Sequence, residues 1–140
     1  MIFTEREFTL AKTACEARKK AYAPYSHFTV GAALLTESGE IFCGSNIENA
    51  SYGATLCAER TAFSQAVHQG HRDFAAIAIA GAKEGETASS CAPCGICRQV
   101  MAEFCQKGFK IILVNEENID SSLVKTLEEL FPAAFDPNSL

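Results

Sequence analysis

Two stretches limit the folds open to this chain more than any other feature. Residues 74–82, "FAAIAIAGA", and residues 110–116, "KIILVNE", are apolar at nearly every position. A strand that alternates can leave one face wet, but a strand apolar throughout must be covered on both faces. Between them lie a loop, "KEGETASSCAP" (83–93), and a helix-forming run, "CGICRQVMAEFCQKG", expected to end near Gly108. A strand, a helix and a second strand in that order cross over right-handed onto a parallel sheet, with helices as the covering layers.

The remaining segments fit the same architecture. Thr4 and Glu7 have the spacing of a capping box, with Phe3 and Phe8 where a hydrophobic staple would sit. Leu10, Ala14, Ala17 and Ala21 then recur at helical spacing, which predicts a helix over 5–22 stopped by Pro24. "FTVGAALLTESGEIFCGSN" reads as a hairpin turning at Glu37-Ser38-Gly39. A polar loop (46–54) leads to a helix expected over 55–69 with Gly70 behind it. Ser122 is expected to cap a short last helix carrying Leu123, Leu127, Leu130 and Phe131, ended by Pro132. The order is helix, strand, strand, helix, strand, helix, strand, helix: an α/β chain with a mixed sheet between helical layers, expected to form one domain over 1–140.

Charge and cysteine content narrow the function. The net charge of -5 and the scattered Lys and Arg, with only Arg18-Lys19-Lys20 clustered, argue against long nucleic acids. "MIFTEREFTLAK" places charges where a signal peptide needs an apolar core, and the longest apolar run is too short to span a bilayer. A cytoplasmic location is the expectation. In a reducing compartment seven cysteines favour metal ligation or reactive thiols over disulfides, with some simply buried as small apolar residues.

Cys94-Gly95-Ile96-Cys97 is a C-x-x-C at a loop-to-helix junction, and Cys57 begins its own helix. Unpaired N–H groups and the helix dipole lower thiol pKa at both places, so two converging helix starts would put three sulfurs on one zinc. A redox pair is the other reading of a lone C-x-x-C. Cys91 would be a fourth ligand closing a structural site, or a bystander off the helix start before Pro93; the second reading is preferred. Glu59 decides between enzyme and structural module. Cys57-Ala58-Glu59 with Pro93-Cys94-Gly95-Ile96-Cys97 is the all-cysteine form of the zinc-deaminase pattern, in which the Glu moves protons and does not bind the metal. His27, His68 and His71 have no ligand spacing.

These residues resemble the small cytidine deaminases that work as homotetramers. The likeness covers nearly the whole chain, above all residues 21–63, "AYAPYSHFTVGAALLTESGEIFCGSNIENASYGATLCAERTAF", and "PCGICRQV". It implies a three-layer α/β/α fold with a five-stranded mixed sheet. It also implies hydrolytic removal of ammonia from cytidine or deoxycytidine, a nucleoside as the small-molecule partner, and one zinc per chain. Carried over by position, Cys57, Cys94 and Cys97 are the zinc ligands and Glu59 the general acid/base. Phe28 packs on the pyrimidine, Ala58 adds a contact to it, and Asn46 and Glu48 hold the ribose hydroxyls. Tyr52 and Phe135 help complete a neighbouring subunit's site. Cys91 and the flexible Gly53 depart from the pattern without removing a catalytic part.

Beside the resemblance, charge assigns Arg60. Three thiolates on Zn(2+) leave the centre negative, which raises the pKa of bound water and blunts the Lewis acid. A guanidinium donating to a ligand sulfur would withdraw some of that charge. A solvent-facing helix arginine is the alternative, and Arg98 is a second, lesser candidate. The competing functions are a relative acting on a modified aminopyrimidine or a nucleotide, a structural zinc module, and a polynucleotide editor.

Overall fold

The computed structural model describes residues 3–140; Met1 and Ile2, at the head of the expected 1–140 domain, lie outside the described residues. The elements are α1 (Glu5–Arg18), β1 (Phe28–Thr36), β2 (Ile41–Ser45), α2 (Ala58–His68), β3 (Phe74–Lys83), α3 (Gly95–Phe104), β4 (Lys110–Leu113), β5 (Leu123–Thr126) and α4 (Leu127–Leu130). Five strands form one sheet in the order β2-β1-β3-β4-β5. β1 runs antiparallel to β2 and β3, β3 is parallel to β4, and β5 returns antiparallel. The expected three-layer α/β/α sandwich with a mixed sheet is what forms.

Alternation along the strands sorts the two layers. Ala33, Leu35, Ala76, Ala78 and Ala80 face α1 with Leu10, Ala11, Ala14 and Cys15. Ala32, Leu34, Ile77 and Ile79 face the opposite way, against Ala58, Ala62 and Phe63 of α2 and Met101 of α3. The alanine-rich face lets α1 lie close. A Cβ on Gly31 would stand 2.2 Å from the Ala14 carbonyl oxygen. On the other face, a Cβ on Gly44 would meet the Ala58 carbonyl oxygen at 2.3 Å, so glycine is what lets the first turn of α2 rest on β2.

Four boundaries differ from expectation, each for a tertiary reason. The capping box of Thr4 and Glu7 forms, but α1 stops at Arg18, four residues early. Tyr22 is drawn into an extended bridge with Ile47, its N–H on the Asn46 carbonyl. α2 begins at Ala58 because Leu56 pairs with Ile47, leaving Cys57 as its N-cap. α3 ends at Phe104, where Cys105 turns extended to start the path into β4. The largest correction is at 123–126: Ser122 caps no helix but accepts from the Asn115 N–H, and Leu123–Thr126 pair with β4 as the fifth strand. Thr126 caps α4 instead.

The topology places the helix starts. β2 and β3 both run antiparallel to β1 and therefore parallel to each other, so α2 and α3, each following one of them, begin at the same end of the sheet. Both helices pack on the same face.

Candidate active site

Cys57 is the N-cap of α2 and Cys94 the N-cap of α3, with Cys97 one turn further along α3. Their sulfurs meet: Cys57 Sγ to Cys94 Sγ is 3.6 Å, Cys94 Sγ to Cys97 Sγ is 3.5 Å, and all three lie within 4.8 Å of one another. Tetrahedral zinc with bonds of about 2.3 Å spaces its sulfurs about 3.8 Å apart, so soft thiolate donors at these distances fit the metal. The cluster is the one group of this kind among the described residues, and Cys91 and the three histidines are outside it.

Cys91 has another place. Its sulfur lies over Gly81 of β3, where a Cβ would come within 2.6 Å of it and 3.2 Å of the Phe28 ring. Burial raises its pKa to about 11, so it stays a thiol packed beside the site. Cys15, likewise raised to about 11 by burial, is one of the small apolar residues under α1.

Within the triplet the protons are unequally shared. A hydrogen bond from Cys97 holds Cys57 down to about 5, against the opposing effect of burial and with the Arg60 and Cys94 bonds adding to it. Cys97 is pushed up by the same bond and by burial. Glu59, two residues into α2, is 4% exposed. Burial, reinforced by the Cys57 charge, pushes its carboxyl up to about 7, in the range where a group both takes and gives a proton near neutrality.

Arg60 reaches one sulfur of the triplet. Its Nη2 donates to Cys57 Sγ at 3.7 Å and to the Thr55 carbonyl at 3.1 Å, and its Nε is buried without a partner. Arg98 does not share that task. Its Nε donates to the Pro93 carbonyl (2.8 Å) and its Nη1 to the Leu130 carbonyl (2.5 Å), binding the ligand turn to the end of α4.

The residues expected to bind substrate differ in what they touch. Glu48 and Tyr52 line an open cleft of about 320 Å3 with Tyr25, Ser26, Asn49 and Thr55. Asn46 is engaged with the backbone: its Oδ1 accepts from the Val30 N–H and its Nδ2 donates to the Phe28 carbonyl, both at 2.8 Å. It therefore fixes the strand start that carries Phe28. Ala58 is fully buried in the first turn of α2. Tyr52 and Phe135 are 76% and 60% exposed, large rings left to solvent by the single chain.

The family described as "Cytidine and deoxycytidylate deaminase zinc-binding region" matches residues 4–113. The chain belongs to this deaminase family. It is 49% identical to a cytidine deaminase of Halalkalibacterium halodurans, over 90% of this chain and 91% of that one. A crystal structure of the cytidine deaminase of Burkholderia pseudomallei superposes with a TM-score of 0.83 at 47% identity, covering 95% of this chain and all of the other. At 33% identity over 96% of both chains, it also resembles a blasticidin-S deaminase of Bacillus cereus.

Two residues that frame the site escape sequence reasoning. Arg18, buried at the end of α1, donates to the carbonyls of Thr29, Lys83 and Glu86 and pairs with Glu116, holding the loop that leads to Cys91 and Cys94. Its only signal is a place in a basic cluster. Ser26 donates to Glu48 across 22 residues; Pro24 marks a turn there, but spacing does not say what the turn faces.

Proposed function

We propose that this chain is a zinc-dependent cytidine deaminase that converts cytidine and deoxycytidine hydrolytically to uridine and deoxyuridine, releasing ammonia. The observation carrying this is the thiol triplet at two converging helix starts with Glu59 buried at the second position of α2. Cys57, Cys94 and Cys97 would hold the zinc, whose Lewis acidity makes water a nucleophile near neutral pH. Glu59 would take a proton from the attacking water and pass it to ring N3, then take the proton remaining on the new C4 hydroxyl and give it to the amine, which leaves as ammonia. Arg60 drains charge from Cys57. Phe28 and Ala58 bind the base; Asn46 and Glu48 orient the sugar.

The same reading extends to the assembly. Tyr52 and Phe135 are proposed to complete the sites of neighbouring copies in a homotetramer, which accounts for their exposure in one chain. Residues 1–140 are proposed to act as one domain, in cytoplasmic pyrimidine salvage. No helix among the described residues is long and apolar enough to cross a membrane, and the charge of -5 disfavours polynucleotides.

An ultraviolet assay of zinc-analysed protein with cytidine, deoxycytidine and free cytosine tests this. Turnover of both nucleosides but not of cytosine is the expected result. No turnover of any, with zinc at one per chain, overturns it in favour of a modified aminopyrimidine substrate, the reading supported by the resemblance to blasticidin-S deaminase.

A further inference from the structure

Residues 23–27 form a wound turn. The His27 N–H donates to the Ala23 carbonyl at 3.0 Å, and His27 takes a left-handed φ of 56°. This winding aims two successive N–H groups at one carboxylate oxygen: Tyr25 N to Glu48 Oε1 is 2.9 Å and Ser26 N to the same atom 3.1 Å. The other oxygen, Oε2, accepts from the Ser26 hydroxyl at 2.5 Å. That hydroxyl in turn accepts the Phe28 N–H at 3.0 Å. The turn is pinned by the last residue of β3 and the one after it, Lys83 Nζ donating to the Ser26 carbonyl (3.0 Å) and the Glu84 N–H to the His27 carbonyl (2.8 Å).

A carboxylate offers about four acceptor positions, of which the chain fills three. Both Ser26 and Glu48 line the cleft. The two oxygens turn together about the soft terminal torsion of a Glu, so the N–H groups on Oε1 give one restraint on that turn and a bond to Oε2 gives a second at the far side. The Ser26 hydroxyl supplies that second bond, and it joins the carboxylate to the backbone of Phe28.

We propose that Ser26 is a positioning residue for nucleoside recognition: its hydroxyl holds Glu48 Oε2 with one acceptor position turned to the cleft and sets that carboxylate in register with Phe28. This rests on the reading of Glu48 as a sugar contact.

The test is steady-state kinetics with cytidine on zinc-loaded wild type, Ser26→Ala, Ser26→Thr, Glu48→Gln and the Ser26→Ala/Glu48→Gln double variant. Hydrogen bonds to charged groups imply that Ser26→Ala raises KM roughly tenfold or more, with kcat changed less. Ser26→Thr, which keeps the hydroxyl, restores KM. In the Glu48→Gln background, Ser26→Ala adds less than about twofold, because its partner is already altered. Wild-type KM in Ser26→Ala, or the full Ser26→Ala effect persisting without Glu48, overturns the proposal while leaving the sugar assignment standing. Wild-type kinetics in Glu48→Gln remove the sugar assignment, and the proposal with it. Absence of cytidine turnover in the wild type overturns the deaminase reading itself. Should Ser26→Ala lose zinc, Ser26→Cys, a weak donor of similar size, is read the same way.

Discussion

Arg60 reaches back from the first turn of α2 to the N-cap sulfur of its own helix, so one side chain touches both the Cys57 thiol and the Thr55 wall of the cleft. Partners of this kind are worth roughly 10- to 100-fold in activity, and Arg60→Gln is expected to lose kcat in that range while zinc analysis still gives one metal per chain. Unchanged kcat would return Arg60 to a merely structural role. Glu59→Gln should fold and bind zinc normally but turn over cytidine roughly 100- to 10,000-fold more slowly, the span attributed to one positioned proton carrier. These residues were legible in one dimension because a metal and a proton carrier impose fixed types at short spacing: C-x-x-C, and C-x-E at a helix start. Ser26 and Arg18 were not, since the ties that matter for the site, Ser26 to Glu48 and Arg18 to Thr29, span 22 and 11 residues.

The elements owe their placement to small residues and to a few long-range ties. Gly44→Ala would push a methyl into the Ala58 carbonyl; a loss of about 1–3 kcal/mol in denaturant unfolding is expected, together with reduced zinc content as α2 lifts from β2. Retained stability and zinc would show that α2 can shift without disturbing Cys57. At the other helix, Glu7 closes the α1 capping box and pairs with Lys110 of β4. Burial raises its pKa, but the bonds from Lys110 and Thr4 outweigh that and leave it below the usual carboxylate value. A depressed folded pKa stabilises above the unfolded value near 4.5 and ceases to do so as pH falls through the folded one. Glu7→Gln should therefore be less stable than wild type by about 0.5–1 kcal/mol at neutral pH, with the two converging in acid. A gap that persists in acid would assign the loss to packing. Strong apolar runs announced β3 and β4, whereas β5 is four residues whose identity as a strand comes from the free edge of β4. That edge is a property of the fold, and no local pattern records it.

For the whole molecule, the exposed rings of Tyr52 and Phe135 make the assembly testable. Glu59→Gln and Phe135→Ala chains are each expected to be poorly active. Mixed and reassembled, they should regain a share of wild-type activity, because some sites then combine an intact Glu59 with a neighbour's intact Phe135. No recovery in a mixture shown by sizing to contain hybrids would place each site within one chain. The architecture itself was legible from strand–helix–strand order, but the convergence of α2 and α3 followed only once β2 and β3 were seen to run in the same direction.

The sulfurs of Cys57 and Cys94 touch although 37 residues separate them. On a ribosome adding about 5–20 residues per second, Cys57 is made roughly two to seven seconds before Cys94. Through that interval the chain has one ligand and no site. The metal can be captured only after α2, β3 and the start of α3 have been laid down and folded against each other. Zinc uptake, followed with a chromogenic chelator during refolding, is thus a clock for that closure, and its release on heating marks the moment the layers part.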